Sequence, residues 1–314
     1  MRYYRKVIKI RAEDSPNVQL AVAQRQRGTE PTGEVLIPGV LSFAEWVKRR
    51  ATWDPIRQCV GLDAEFWEGA ELLLFPPHWL NRSAELARDL RGKPRKAKAM
   101  GCDPAEGGDK TCWAVVDELG LIDLVSVRTP DTASITSTTL ALIREHGVPD
   151  AKVCFDRGGG GKEHADRLRW QGHDVTTVAF GESLVPPPRR GTNTYRPLDV
   201  RIDEREERYA YLNRRAEMYH SLSRAVDPEA GQGFAIPDQG EACEELRRQL
   251  AVFPKLTDAE GRYWLPPKNR KTDNSKTKTL VEMLGHSPDE ADALVIAFHA
   301  MTTKVSRRLI GSAL

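Results

Sequence analysis

Residues 99–127 read AMGCDPAEGGDKTCWAVVDELGLIDLVSV, and this stretch decides the fold. Its apolar runs predict three β-strands, at residues 97–103, 111–117 and 121–128, because short apolar runs bounded by turn-forming and charged residues are typical of buried strands. The Glu-Leu-Gly between the last two runs predicts a hairpin. The first strand ends at Asp103, where rigid backbone would hold a carboxylate at a water-accessible edge of the sheet.

Beyond this stretch, helical and strand patterns alternate. The predicted elements are a helix from Thr132 to His146, a strand at 151–156, a helix at 162–171, a strand at 174–179, a polar helix around 201–225, a helix near 240–251, a hairpin from Val252 to Leu265 and two closing helices. This order predicts an α/β domain with a central mixed sheet, three antiparallel strands followed by parallel strands. Helices would flank the sheet, and the hairpin is an addition to it.

Aspartates stand where the predicted strands end and where the last helix begins. Asp103 and Asp156 end apolar strands, Asp109 follows the first of them, and Asp289 and Asp292 open the apolar helical stretch SPDEADALVIAFHAM. Residues three apart share one helix face. Magnesium takes oxygen ligands, and two ions about 3.5 to 4 Å apart can stabilise the attacking and leaving oxygens of a phosphodiester. The pattern therefore predicts a divalent-metal site.

Plainer structural roles stay open for these residues. Asp103 has the alternative of capping the loop PAEGG, and Asp156 has a similar alternative at its own strand end. Asp289 follows Pro288, so it is also explained as a helix N-terminal charge favoured by the helix dipole. Asp292 is the more secure ligand of the pair.

Three motifs carry a resemblance to a known family. GCDPAEGGDKT, FDRGGGGKEHADRLRWQGHDV and SPDEADALVIAF resemble the nuclease domain of tailed-bacteriophage large terminase subunits, which has an RNase H-like fold. The resemblance covers residues 96–314. Residues 1–95 look like the segment that joins the terminase ATPase to its nuclease, so they would be a remnant of the ATPase C-terminal region and linker.

The resemblance implies a metal-dependent endonuclease that cuts double-stranded viral DNA during phage genome packaging, by two-metal-ion phosphodiester hydrolysis. It assigns Asp103, Asp156 and Asp292 as catalytic ligands of two Mg²⁺ or Mn²⁺ ions, with Asp109 and Asp289 completing the site. Lys and Arg residues supply sequence-independent affinity for phosphates, although charge runs are often only solvated faces. The residues predicted to line a DNA groove are Lys110, Arg157, Lys162, Lys268, Arg270, Lys271, Lys276 and Lys278.

The composition of the chain limits the cellular compartments in which the protein is expected. The chain has 314 residues, a formal net charge of +2 and five cysteines without a C-x-x-C pair, which favours a reducing compartment. No signal peptide and no apolar run of about 18 residues is present in the sequence, so no membrane association is expected. The family resemblance places the protein in the cytoplasm of an infected bacterial host. The implied partners are double-stranded DNA, a terminase ATPase domain, the small terminase subunit and the portal protein.

The sequence contains no recognisable nucleotide-binding motif. The run Gly158–Gly161 does not fit the P-loop pattern, because Glu163 follows Lys162 and no glycine lies five residues before Gly161. We read the run as a turn into the next helix, where missing side chains let a DNA backbone approach Asp156. We expect the ATPase motor to lie outside this chain, which would be a fragment or the product of a split gene.

Two other functions remain open at this point. The Asp289-x-x-Asp292 pair also occurs in RuvC-type Holliday-junction resolvases, which share the fold and prefer branched DNA. A non-catalytic packaging-motor interaction module, docking through residues 1–95, is the third possibility. Competition between four-way junctions and linear duplex separates the first two functions, and metal titration tests the third.

Overall fold

The computed structural model describes residues 9–53, 58, 61–64, 73–105, 107–128, 131–184, 210–230, 233–258, 261–269 and 277–303. The chain divides into two compact units, Met1–Ala70 and Glu71–Leu314. The boundary predicted near residue 96 falls inside the second unit. The origin of residues 1–95 as an ATPase remnant stays a prediction.

The described residues of the first unit include the helices α1 (Pro16–Gln26) and α2 (Phe43–Thr52). Asn17 organises the segment between them: its side-chain amide donates to the carbonyls of Ile37 and Val40, and its oxygen accepts from the Ile37 N–H at 3.0 Å. Because Asn17 is buried, these bonds satisfy a polar group that would otherwise be costly to bury.

The second unit is built on a five-stranded sheet. Its strands are β1 (Ala99–Asp103), β2 (Thr111–Asp117), β3 (Gly120–Val127), β4 (Val153–Asp156) and β5 (Thr176–Val178). They lie in the order β3-β2-β1-β4-β5. The first three are antiparallel, whereas β4 and β5 run parallel to β1. The predicted mixed sheet is confirmed, and the full burial of β1 and β2 explains their continuous apolar runs.

Helices flank the sheet, and a small hairpin is added to it. The α-helices among the described residues are α3 (Pro77–Leu90), α4 (Thr132–His146), α5 (Gly161–Trp170), α6 (Arg214–Val226), α7 (Glu241–Leu250), α8 (Leu280–Leu284) and α9 (Asp289–Thr302), and the hairpin strands are β6 (Leu256–Thr257) and β7 (Tyr263–Trp264). The predicted added hairpin is therefore confirmed. In the described part of the polar region predicted as helical, α6 begins at Arg214; residues 201–209 lie outside the described residues.

The last helix packs across the centre of the sheet. Eleven residues of α9 are buried, and β1 approaches it closely at Gly101. A Cβ at Gly101 would lie 2.3 Å from the Ala297 nitrogen and 2.4 Å from the Ala293 carbonyl oxygen. Only glycine fits between this strand and this helix, so Gly101 determines how closely α9 packs on the sheet. None of the helices described is long and apolar enough to cross a membrane.

Candidate metal centre

Two predicted ligands lie side by side at one edge of the sheet. Cys102 pairs with Phe155 in the parallel register of β1 and β4, so the next residues, Asp103 and Asp156, end neighbouring strands. Asp103 is only 7% exposed. Asp156 is partly buried, and Arg157 after it donates its backbone N–H to the Val178 carbonyl at 2.7 Å.

The first turn of α9 brings two more carboxylates to the same place. Asp289 and Asp292 are both buried, Asp292 completely. The Lys110 backbone N–H donates to Asp289 Oδ2 at 3.2 Å, which attaches the loop after β1 to the start of α9. The sheet edge and the helix therefore gather four of the predicted acidic residues, from segments far apart in sequence.

A lysine lies among these carboxylates. Lys268 Nζ is 2.6 Å from Asp292 Oδ2 and 3.4 Å from Asp103 Oδ2, so one ammonium group bridges a strand carboxylate and a helix carboxylate. The basic character of its segment predicts that Lys268 lines a DNA groove, and it gives no sign of these two contacts. Asp292 and Asp103 raise the pKa of Lys268 and outweigh the opposing effect of burial, so this side chain stays charged.

The pKa values reflect crowded negative charge. Burial raises the pKa of Asp103 well above its usual value; Lys268 opposes this rise, and the nearby carboxylates, Asp292 first among them, add to it. Burial also raises the pKa values of Asp156 and Asp289. Carboxylates buried together disfavour ionisation unless positive charge compensates them. The centre therefore attracts cations.

Asp292 differs from the others because two further groups stabilise its ionised form. Burial alone would raise its pKa, but the charges of Arg215 and Lys268 outweigh burial and hold the pKa below the usual value. Arg215 Nη2 donates to Asp292 Oδ1 at 3.2 Å, and the Tyr219 hydroxyl donates to the same oxygen at 2.5 Å. Asp292 is thus a charged carboxylate with one oxygen held by α6.

Sequence reasoning missed Arg215 and Tyr219. Both belong to the stretch RRAEMYHSLSRAV, which reads as a polar helix with solvated charges. The available signal was their spacing of four residues, which places an arginine and a tyrosine on one helix face. That spacing alone gives no indication that the face is buried against α9.

The glycine run leads into α5, as predicted. A Cβ at Gly158 would lie 3.1 Å from Asp156 Oδ2, and one at Gly161 would lie 1.8 Å from the Asp156 carbonyl oxygen. Gly159 has a φ of +54°, a conformation that side-chain-bearing residues rarely adopt. These glycines let the turn fold tightly around Asp156 and keep bulky side chains away from its carboxylate.

The other predicted residues differ in their exposure. Asp109 is exposed, and its charge raises the pKa of Asp289 as a minor contribution after burial. Lys110 Nζ pairs with buried Glu290 at 3.2 Å. Arg157, Lys162 and Lys278 are exposed. Arg270, Lys271 and Lys276 lie outside the described residues.

The donor set fits a hard divalent cation, because every candidate ligand is a carboxylate oxygen. Lys268 supports this fit by placing a positive group between Asp103 and Asp292. Across the described ranges, no three Asp, Glu, His or Cys side chains stand in metal-holding geometry. The Lys268 ammonium group stands between Asp103 and Asp292, so a metal ion bound between them would displace it.

The sheet order and the central buried helix define an RNase H-like fold. Solved structures of the nuclease domain of the large terminase subunit gp2 of bacterial virus Sf6 share this fold. The domain itself is 21% identical with a TM-score of 0.52, a variant with manganese and β-thujaplicinol is 20% identical with a TM-score of 0.53, and a variant with calcium is 21% identical with a TM-score of 0.51.

Each of these three alignments covers 73% of this chain and 99% of the Sf6 chain. The resemblance to phage large terminase nuclease domains, drawn from the motifs, is therefore confirmed in the fold. No protein-family model matches the sequence, and no curated protein is similar enough to count as a match.

Proposed function

We propose that this chain is a metal-dependent endonuclease of the phage large terminase type, which cleaves double-stranded DNA during genome packaging. The observation that carries the proposal is the Lys268 ammonium group between Asp103 and Asp292, with Asp156 at the end of the neighbouring strand, on a fold shared with terminase nuclease domains. Buried carboxylates that carry a charge are usually paired with a cation or coordinate a metal.

The proposed ligands of two Mg²⁺ or Mn²⁺ ions are Asp103, Asp156 and Asp292, with Asp289 and Asp109 completing the site. When bound, such ions would stabilise the attacking and leaving oxygens of the phosphodiester and neutralise developing negative charge. An Sf6 variant was solved with manganese, which supports divalent metal use by a protein of the same fold. Asp292 offers Oδ2 to the centre, because α6 holds Oδ1.

The chain's own groups would bind and orient the DNA strand. The Gly158–Gly161 turn lets a phosphate approach the strand ends, since side chains are missing there. Arg157, Lys162 and Lys278 are exposed and would contact backbone phosphates. Lys268, once displaced from Asp103, would carry its charge toward the scissile phosphate.

The remaining parts of the proposal rest on the resemblance to phage large terminase subunits. Lys110, Arg270, Lys271 and Lys276 would extend the DNA contact, although the Lys110 ammonium already pairs with Glu290. Residues 1–95 would be a remnant of the ATPase C-terminal region and linker. The proposed partners are the terminase ATPase domain, the small terminase subunit and the portal protein, and the proposed location is the cytoplasm of the bacterial host.

Nicking and linearisation of supercoiled plasmid by the purified chain test the proposal, with Mg²⁺, Mn²⁺ or EDTA. Cleavage should need metal and disappear in Asp156→Ala. Asp174→Ala is the control, because it removes an exposed aspartate two residues before β5, and this variant should cleave normally. Undiminished metal-dependent cleavage by Asp156→Ala would refute the site.

Two substrates separate this function from its nearest alternative. Linear duplex and a four-way junction are offered together, and we expect no preference for the junction. A strong junction preference would instead favour a RuvC-like resolvase, to which the buried Asp289-x-x-Asp292 pair is equally suited. A folded chain that binds no metal would favour the interaction module.

A further inference from the structure

Two buried side chains of α6 hold one oxygen of Asp292. The Tyr219 hydroxyl donates to Asp292 Oδ1 at 2.5 Å, and Arg215 Nη2 donates to the same atom at 3.2 Å. Tyr219 is completely buried, and Arg215 is 7% exposed. Both donors reach Oδ1, whereas Oδ2 faces Lys268.

The rest of the structure fixes both donors in place. The Arg215 guanidinium lies 5.6 Å from the Phe180 ring and 5.4 Å from the Tyr219 ring, and its Nη1 is 3.5 Å from the Pro266 carbonyl. The Tyr219 ring packs on Phe253, with centroids 4.4 Å apart. Neither side chain can follow Asp292 if that carboxylate turns, so the two donors define its orientation.

We propose that Arg215 and Tyr219 are positioning residues that reserve Oδ1 of Asp292, so that this carboxylate can bind a metal only through Oδ2, and that this restriction favours Mg²⁺ and Mn²⁺ over Ca²⁺. The inference rests on the proposed function. Ca²⁺ takes six to eight oxygens and often binds carboxylates through both, whereas Mg²⁺ demands near-ideal octahedral geometry. A carboxylate limited to one fixed oxygen suits the second requirement.

Tyr219→Phe tests this inference because it removes the hydroxyl and keeps the ring. Isothermal titration calorimetry on the full chain without DNA gives the dissociation constants of Mn²⁺ and Ca²⁺. Loss of a partner behind a metal ligand weakens metal binding by about 10- to 100-fold. We expect Mn²⁺ binding to weaken at least about tenfold and Ca²⁺ binding to change by less than about twofold, since Ca²⁺ tolerates variable carboxylate geometry.

Ser223→Ala is the matched control. Ser223 lies one helical turn further along α6, is also buried, and donates its hydroxyl to the Leu74 carbonyl at 2.7 Å. This variant loses a buried hydroxyl from the same helix without touching Asp292, and both dissociation constants should stay at the wild-type values. Thermal unfolding checks that each variant is folded. If Tyr219→Phe does not fold, Arg215→Lys replaces it, because it keeps the charge and loses the guanidinium contacts.

The outcomes are distinct. A selective loss of Mn²⁺ affinity supports the positioning role. Equal weakening of both metals, or no change in either, overturns it, because a general structural effect would not change the ratio of the two constants. Wild-type protein that binds neither metal would overturn the proposed function itself, and the inference with it. Wild-type binding with an unchanged ratio in Tyr219→Phe overturns the inference alone.

Discussion

Substitution of Gly101 by alanine should both destabilise the fold and disturb the metal centre. The added Cβ would lie 2.3 Å from the Ala297 nitrogen and 2.4 Å from the Ala293 carbonyl oxygen. Both obstacles are backbone atoms of α9, so no side-chain rotation relieves the clash. Ordinary contact begins near 3.4 Å, and the difference, 3.4 minus 2.3, requires α9 to withdraw from β1 by about 1 Å.

That displacement sets the expected magnitudes. Overpacking a well-packed core costs about 1 to 3 kcal/mol, and the rigid obstacle places this case near 3 kcal/mol. Removing a glycine restricts the unfolded chain and recovers about 0.4 to 1 kcal/mol, so a net loss of about 2 kcal/mol is expected. Because α9 carries Asp289 and Asp292, the same movement would misplace them relative to Asp103, and a misplacement of about 1 Å can reduce a rate about 100-fold.

Urea unfolding measures the stability, and Mn²⁺ titration with plasmid nicking measures the centre. Gly181→Ala is the control, because a Cβ at Gly181 would meet no other atom within 4 Å and the residue has no positive φ. It should remain within about 0.5 kcal/mol of wild type. A Gly101→Ala protein of wild-type stability would refute the close approach of β1 and α9. A destabilised protein with unchanged Mn²⁺ affinity would refute the claim that the distance between α9 and β1 determines the geometry of the candidate metal centre.

Two further predictions concern charged groups. Burial, reinforced by Arg214, lowers the pKa of His299 to about 4, so the unfolded chain binds a proton more readily below pH 6.5. The free energy of unfolding should therefore fall by up to about 3 kcal/mol between pH 6.5 and pH 4. Urea unfolding across this range should show a smaller fall for His299→Gln than for wild type. An equal fall in the two proteins would contradict this prediction. Lys268→Gln should lose about 1 to 2 kcal/mol in EDTA, because Asp103 and Asp292 lose their shared cation and solvent screens the partly exposed lysine. Mn²⁺ should raise its melting temperature more than that of wild type, and an equal rise in both proteins would contradict competition between lysine and metal.

The sequence was sufficient for the sheet and for the main helices around it. The strand predicted at 111–117 and the helix predicted at 132–146 have the observed bounds, Thr111–Asp117 and Thr132–His146. β2 is buried along its whole length, which produces a continuous apolar run. The helix is bounded by an Asp131 N-cap and by Gly147 in the left-handed conformation, both local signals. Strand ends then located Asp103 and Asp156.

The surroundings of the carboxylates could not be read in the same way. Lys268 lies in a Pro- and Lys-containing segment whose composition indicates a solvated basic loop, yet it reaches between Asp103 and Asp292. Arg215 reads as one charge in a polar helix, and its burial comes from tertiary contacts with α9, Phe180 and Pro266. These positions depend on tertiary contacts between segments distant in sequence, for which neither periodicity nor spacing gives a signal. The roles of the individual residues stay predictions.

The position of α9 in the chain order has a consequence for biosynthesis. Asp103 and Asp156 are translated long before Asp292, and α9 is the last helix described. A nascent chain that still lacks this helix has its strand-end carboxylates but neither α9 carboxylate, and the sheet face that α9 covers is open. If the chain is the nuclease proposed above, DNA cleavage would have to wait until α9 has emerged from the ribosome and packed on the sheet.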